Sequence, residues 1–217
     1  MTASDTTTET PRLDRGEAIE DFVQRQAARL WNGYQADRGR EVAELAQLRR
    51  ALPRRGVLPS EAWPIFERPG FDERLAGRGD DASSAELSVA AALALYANHQ
   101  QSRRSAPMHR RGYNHGVGRA AFALKARVDS AGVERRVQTL IRAQSLDQVL
   151  EHLSGLIGQL RAHEIALDYA RLARDLDAIQ HPAARKGVRT RWSRDFYRPA
   201  GDQDTGTDNE QDSGEPA

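Results

Sequence analysis

Cysteine is absent from this 217-residue chain, and with it go disulfide staples, thiolate nucleophiles and zinc–thiolate centres. Lysine is nearly absent as well, because of 32 basic residues all but Lys125 and Lys186 are arginine. No apolar run suffices to span a bilayer; the longest, around Val89 to Leu95, is short and rich in alanine. The hydrophilic stretch Met1 to Asp14 lacks the apolar centre of a secretory signal, so a cytoplasmic location is expected. No segment alternates apolar and polar residues over a useful length, which disfavours the βαβ architectures that hold nucleotides. Between Leu87 and Val128 there is not one Asp or Glu.

That last gap is informative because the same stretch carries Arg103, Arg104, Arg110, Arg111, Arg119, Lys125 and Arg127. A net charge of +1 hides this polarity, since acids gather at the two ends. Residues 1–21 hold six acids against two bases, and residues 200–217 hold six against none, leaving 30 bases and 19 acids between them. A one-signed surface repels itself unless a dense anion, most naturally a phosphate chain, neutralises it. Guanidinium groups suit that task because their planar fork matches phosphate oxygens.

Residues 1–16 and 199–217 have too little apolar surface to offset the entropy of ordering, so both are expected to be disordered acidic tails. Between them, residues 17–198 form the expected nucleic-acid-binding domain, an all-α bundle of about seven to nine helices that could divide into two sub-bundles near 102–116. Ile19, Phe22, Val23, Leu30 and Trp31 mark a first helix ending at Gly33, and Val42, Leu45 and Leu48 a second one. Pro53 to Asp81 reads as a loop with short helical turns. Ser84 is the expected cap of a long buried helix to about Gln101, followed by a basic loop over Ser102–Gly116.

Further helices are expected from Val117 and around Val133–Ile141. Ser145 with Gln148 forms a capping box that opens a helix over Leu146–Arg161. Another runs from Ile165 to Ile179, ended by His181 and Pro182, and a last one over Arg185–Arg198 crowds arginines around Val188, Trp192 and Phe196. The helical spacing of Trp31, Trp63, Tyr169, Trp192 and Phe196 with aliphatic residues assigns them to the core, leaving Tyr113 as the aromatic free to stack.

Candidate chemistry is thin. His99, His109 and His115 lack the three- or four-residue helical spacing of metal ligands, and no acid lies among them, so neither a metal nor any cofactor is expected. Glycine patterns for nucleotides are missing. Arg104 to His109 and Arg110 to His115 match the Arg-x4-His spacing that resembles the HEPN ribonucleases, in which histidine serves as acid–base catalyst and arginine steadies the phosphorane. Pro107, Gly112 and Asn114 interrupt the helix such a motif requires, which leaves this metal-independent ribonuclease as the alternative reading. Arg135 and Arg142, seven apart, share one helix face at about the reach of consecutive phosphates.

Several stretches in order resemble one family: Leu48-Arg49-Arg50, Ala94-Leu95-Tyr96-Ala97-Asn98-His99-Gln100, Gly118-Arg119-Ala120, Glu134-Arg135-Arg136 with Leu140-Ile141-Arg142-Ala143, Leu167 to Leu172, and Arg191-Trp192-Ser193-Arg194-Asp195-Phe196-Tyr197. Together they are similar to CasB, the small subunit of the type I-E CRISPR surveillance complex Cascade, over about Phe22 to Arg198. The resemblance implies an all-helical, non-catalytic antiviral-defence subunit that packs head to tail with its own copies and against backbone and large subunits. It implies contacts to guide RNA and to target and displaced DNA strands that stabilise an R-loop, with no membrane involved. By that likeness Arg49, Arg50, Arg119, Arg135, Arg136 and Arg142 are the first expected backbone contacts; Arg103, Arg104, Arg110 and Arg111 follow on charge alone.

Overall fold

The computed structural model describes residues 14–128 and 130–198. The tails expected at 1–16 and 199–217 lie outside them, except that the chain is already ordered at Asp14. There the carboxylate accepts the Glu17 amide while Glu17 reaches back, a reciprocal cap that starts α1 (Arg15–Gln35). Eight more α-helices follow among the described residues: α2 (Gly39–Leu48), the single turn α3 (Trp63–Phe66), α4 (Ser84–Gln100), α5 (Val117–Lys125), α6 (Ser130–Arg142), α7 (Leu146–Ala162), α8 (Tyr169–Gln180) and α9 (Pro182–Tyr197). No strand occurs among them, only two isolated bridges.

Helix α4 is the axis of the bundle, and fifteen of its seventeen residues are buried. Alanines at 90, 91, 92, 94 and 97 keep it slender enough for neighbours to pack on every side, and α1, α2, α7 and α8 do so. Helix α9 closes the other end by packing on α5 and α8. Gly118 makes the α5–α9 approach possible, since a Cβ there would stand 2.4 Å from the Trp192 carbonyl oxygen. All nine helices described contribute buried residues to one contiguous apolar core.

Three local expectations need correction. Ser83 caps α4, forming a capping box with Glu86, and Ser84 is its first helical residue. Ile165 is not in a helix: Ile165–Leu167 is extended, and Leu167 exchanges backbone hydrogen bonds with Met108 and Arg110 before Asp168 caps α8. Trp63 is 51% exposed because the one-turn helix α3 has a single inward face, taken by Ile65, and the indole only edges Phe66 at 6.1 Å. Trp31 is half-buried, whereas Tyr169, Trp192 and Phe196 are in the core as expected.

Candidate nucleic-acid interface

The motif residues that carry the family likeness mostly face inward. Gln100, fully buried, accepts the Met108 amide at 2.8 Å and donates to the carbonyls of Arg103 and Ala106, folding the basic loop back onto α4. Asp168 splits its carboxylate, capping α8 through the Arg171 amide and holding the Gly112 amide at 3.0 Å. Gly112 sits at φ 118°, a conformation that glycine alone adopts without strain. The loop is thus pinned at several points, and its side chains project from a fixed backbone.

His109 is one of those pins. Its Nδ1 accepts the Tyr169 amide at 3.0 Å, so its proton is on Nε2, 2.6 Å from Gln24 Oε1. Burial pushes its pKa down. His99, also buried, lies with Nδ1 2.9 Å from the Tyr169 hydroxyl, and burial pushes it down to about 3. Tyr96, His99, His109 and Tyr169 form a chain of edge-on rings that joins α4, the loop and α8. A general base needs access to its substrate and a free lone pair. His109 has neither, which removes the Arg104–His109 half of the ribonuclease alternative.

The ten expected arginines separate into two sets. Arg103 pairs with Glu164 and donates to the Arg161 carbonyl, while Arg104 binds Asp37 at 2.7 Å and lies over Tyr34. Arg111 faces Glu20 at 3.7 Å, Arg50 faces Glu61 at 3.8 Å, and Arg119 donates to Asn114 while stacked against Tyr113 and Phe122. Tyr113 therefore already has a guanidinium over its ring. Arg136 is packed against Gly155, its Nε buried without a partner. Within the acid-free stretch, packing brings Glu164, Asp37 and Glu20 from elsewhere in the chain to Arg103, Arg104 and Arg111.

Arg49, Arg110, Arg135 and Arg142 form the second set, with no carboxylate partner among the described residues. Arg135 and Arg142 lie three before and four after Gln138, on the α6 face whose Gln138 amide bonds the Tyr197 hydroxyl of α9 at 3.2 Å. Beside that contact opens a cleft of about 590 Å³ between α6 and α9. Its cations are Arg185, Lys186, Arg189, Arg194 and Arg198, and its lining contains no acid. Arg185 and Arg189 donate to the carbonyls of Ile179 and Ala143, which orients the guanidinium groups without cancelling their charge. Arg191, on the opposite side of α9, is spent on buried Asp175, which also accepts the Trp192 indole N–H at 2.7 Å. Burial pushes Asp175 up despite those partners.

The α9 cations were outside the residues expected to make contacts, although their crowding was visible in the sequence. Separating them from Arg191 required knowing which face of α9 is buried. Among the described residues no group of His, Asp or Glu is arranged to hold a metal ion, and no helix is long and apolar enough to cross a membrane.

These features define an all-helical protein whose buried polar groups serve the fold and whose α9 cations converge on one outer cleft. The chain belongs to the Cse2 family: the profile described as "CRISPR-associated protein Cse2" matches residues 44–197. As a CasB-type member it is a Cascade subunit, with other Cascade subunits as partners. A crystal structure of CasB from Thermobifida fusca is similar with 33% identity and a TM-score of 0.67, covering 82% of this chain and 97% of that one. A crystal structure of M. ruber CasB, at 21% identity and TM-score 0.59 over 86% and 94% of the two chains, shares the fold. Comparison with curated proteins gives no match.

Proposed function

We propose that the chain is a non-catalytic clamp that holds nucleic-acid backbone along α6 and α9 within Cascade, gripping guide RNA and target or displaced DNA. One observation carries this reading: five cations line the α6–α9 cleft with no acid beside them, whereas Arg15, Arg29, Arg103, Arg104, Arg174 and Arg191 have all found carboxylates. Like charges held together cost free energy in the free protein, and a phosphate chain removes that cost while releasing its own counterions. The described lining of the cleft is mainly cations with Thr190, Ser193 and Tyr197, groups suited to phosphate contacts, which discriminate little between sequences. R-loop formation exchanges one duplex for another of similar stability, and a few phosphate contacts suffice to bias it. A neighbouring copy packed head to tail, as the family likeness implies, would continue the track.

The test is anisotropy of a labelled single-stranded oligonucleotide against salt. Arg135→Ala with Arg142→Ala, and separately Lys186→Ala with Arg194→Ala, are expected to weaken binding and to lower the log–log salt slope by roughly 0.7 for each phosphate no longer neutralised. An unchanged slope in both variants, with helicity preserved, would remove the reading.

A further inference from the structure

Tyr113 and Phe122 are exposed aromatic rings that share one arginine. Tyr113 is 45% and Phe122 37% exposed, and the Arg119 guanidinium carbon lies 5.4 Å from the centre of the first ring and 5.8 Å from the centre of the second. We propose that this layered set is a stacking platform for an unpaired nucleobase, on a strand whose phosphates run along the arginines around it. The inference rests on the reading of the chain as a nucleic-acid-binding subunit, and adds to backbone contact a preference for bases that have left a duplex.

The platform is held in place without a ligand. Tyr113 opens a single 3₁₀ turn, Tyr113–His115, that Asp168 ties at both ends: its carboxylate accepts the Gly112 amide at 3.0 Å, and its own amide donates to the His115 carbonyl at 2.7 Å. A tyrosine on a fixed backbone has only two torsions to lose when a base stacks on it. Arg119 and Phe122 are three apart on α5 and so share a side of that helix. Arg119 donates to Asn114 Oδ1 at 3.3 Å, and its Nη1 is shielded from water without a partner. Held in that way, its guanidinium is a layer of the stack and not a cation extended toward phosphate. Arg119 takes one face of the Tyr113 ring, and the base takes the other.

An exposed ring by itself suits a protein partner as well as a base, but the charge around this one selects nucleic acid. On one side Arg111 and Arg174 share the single carboxylate of Glu20, at 3.7 and 3.3 Å, in the cleft that Tyr113 edges. On the other, Arg110 and Arg127 line a second cleft with Asn114 and His115, where the one acid, Glu164, is already held by Arg103. The platform also adjoins the α6–α9 cleft. Lys125 of α5 lies 5.5 Å over the Phe196 ring, which edges Tyr197 of that cleft at 4.8 Å. From Arg119 to Lys125 the helix rises about 9 Å, about three nucleotides at the 3.4 Å rise of a stacked strand, so one strand reaches both. Bases inside a duplex are covered on both faces by their neighbours, and only an unpaired or extruded base meets the ring.

The experiment reads the anisotropy of two labelled strands of about 20 nucleotides, oligo-dT and an abasic strand with the same phosphates, against the full natural chain, Tyr113→Ala and Tyr113→Phe. The natural chain is expected to bind oligo-dT about 5- to 30-fold more tightly than the abasic strand. Tyr113→Ala is expected to lose most of that preference with helicity and salt slope unchanged, since no phosphate contact is removed, and Tyr113→Phe to retain it. Equal affinity of the natural chain for the two strands, or a preference that Tyr113→Ala leaves intact, overturns the inference and leaves the rings to a protein contact, even where the salt slopes of the α6 and α9 variants uphold the clamp. A preference that Tyr113→Ala abolishes, alongside unchanged slopes in those variants, keeps the platform and removes the α6–α9 clamp.

Discussion

Asp168 holds the Gly112 amide with one oxygen and the Arg171 amide with the other, so a single carboxylate both starts α8 and anchors the loop that carries Arg110 and Arg111. Asp168→Ala removes the cap and strands two backbone donors. A decrease of about 2 kcal/mol in stability is expected, with trypsin cutting after Arg110 or Arg111 faster than in the natural chain. Lower stability without faster cleavage would mean that the loop is held by other ties.

His99 and His109 refuse protons in the folded state. Both have folded pKa values below the ordinary 6.5, and the unfolded chain takes up protons once the pH falls through that value. Stability is therefore level above about pH 6.5 and declines as pH drops from there toward 3. Urea titrations at about pH 7.5 and 5.5 are expected to differ by about 1.4 kcal/mol from His99, with His109 adding to the loss in the same direction. His99→Gln should reduce that difference even if it lowers stability at both values.

Gly118 touches α9 backbone, and the added methyl of Gly118→Ala would meet the Trp192 oxygen, Asp195 Cβ and the Phe196 nitrogen at 3.0 Å or less. Two helices must separate to admit it. The expected cost is about 1–3 kcal/mol, seen as a lower urea midpoint, whereas Gly187→Ala, with open space around it, should be neutral or stabilising.

Asp175 joins Arg191 and Trp192 beneath the basic side of α9. Asp175→Ala leaves a guanidinium and an indole N–H without their acceptor, at a cost of about 3–5 kcal/mol. Asp175→Asn keeps an acceptor for the indole and should cost less. Equal drops in thermal stability would show that the charge, not the hydrogen bond, is what the site requires.

Much of the helical order could be read from the spacing of apolar residues, since Val149, Leu150, Leu153, Leu156, Ile157 and Leu160 stripe α7 and are all buried there. Boundaries were less legible where side chains compete for the same role. Ser83 and Ser84 are adjacent cap candidates, and Glu86 selects Ser83 by reaching back to its amide. The extended Ile165–Leu167 segment was hidden because an apolar triplet suits a helix as well as a strand, and its partner, Met108–Arg110, is remote in sequence. Charge pairing was not legible among the candidate arginines: Arg135 and Arg142 have no carboxylate partner among the described residues, whereas Arg103 and Arg104 met Glu164 and Asp37 from distant elements.

Local pattern sufficed for the all-helical class, the α7 capping box, the absence of thiol chemistry and the family likeness, because these depend on residue type and on spacings within one turn or one helix. Which cations remain free is a different matter. Charge is neutralised through space, so the fate of each arginine depended on which remote carboxylate the packing of α1, α7 and α8 delivered to it. The same packing turned Arg191 toward Asp175 and left Arg185, Lys186, Arg189, Arg194 and Arg198 around an acid-free cleft.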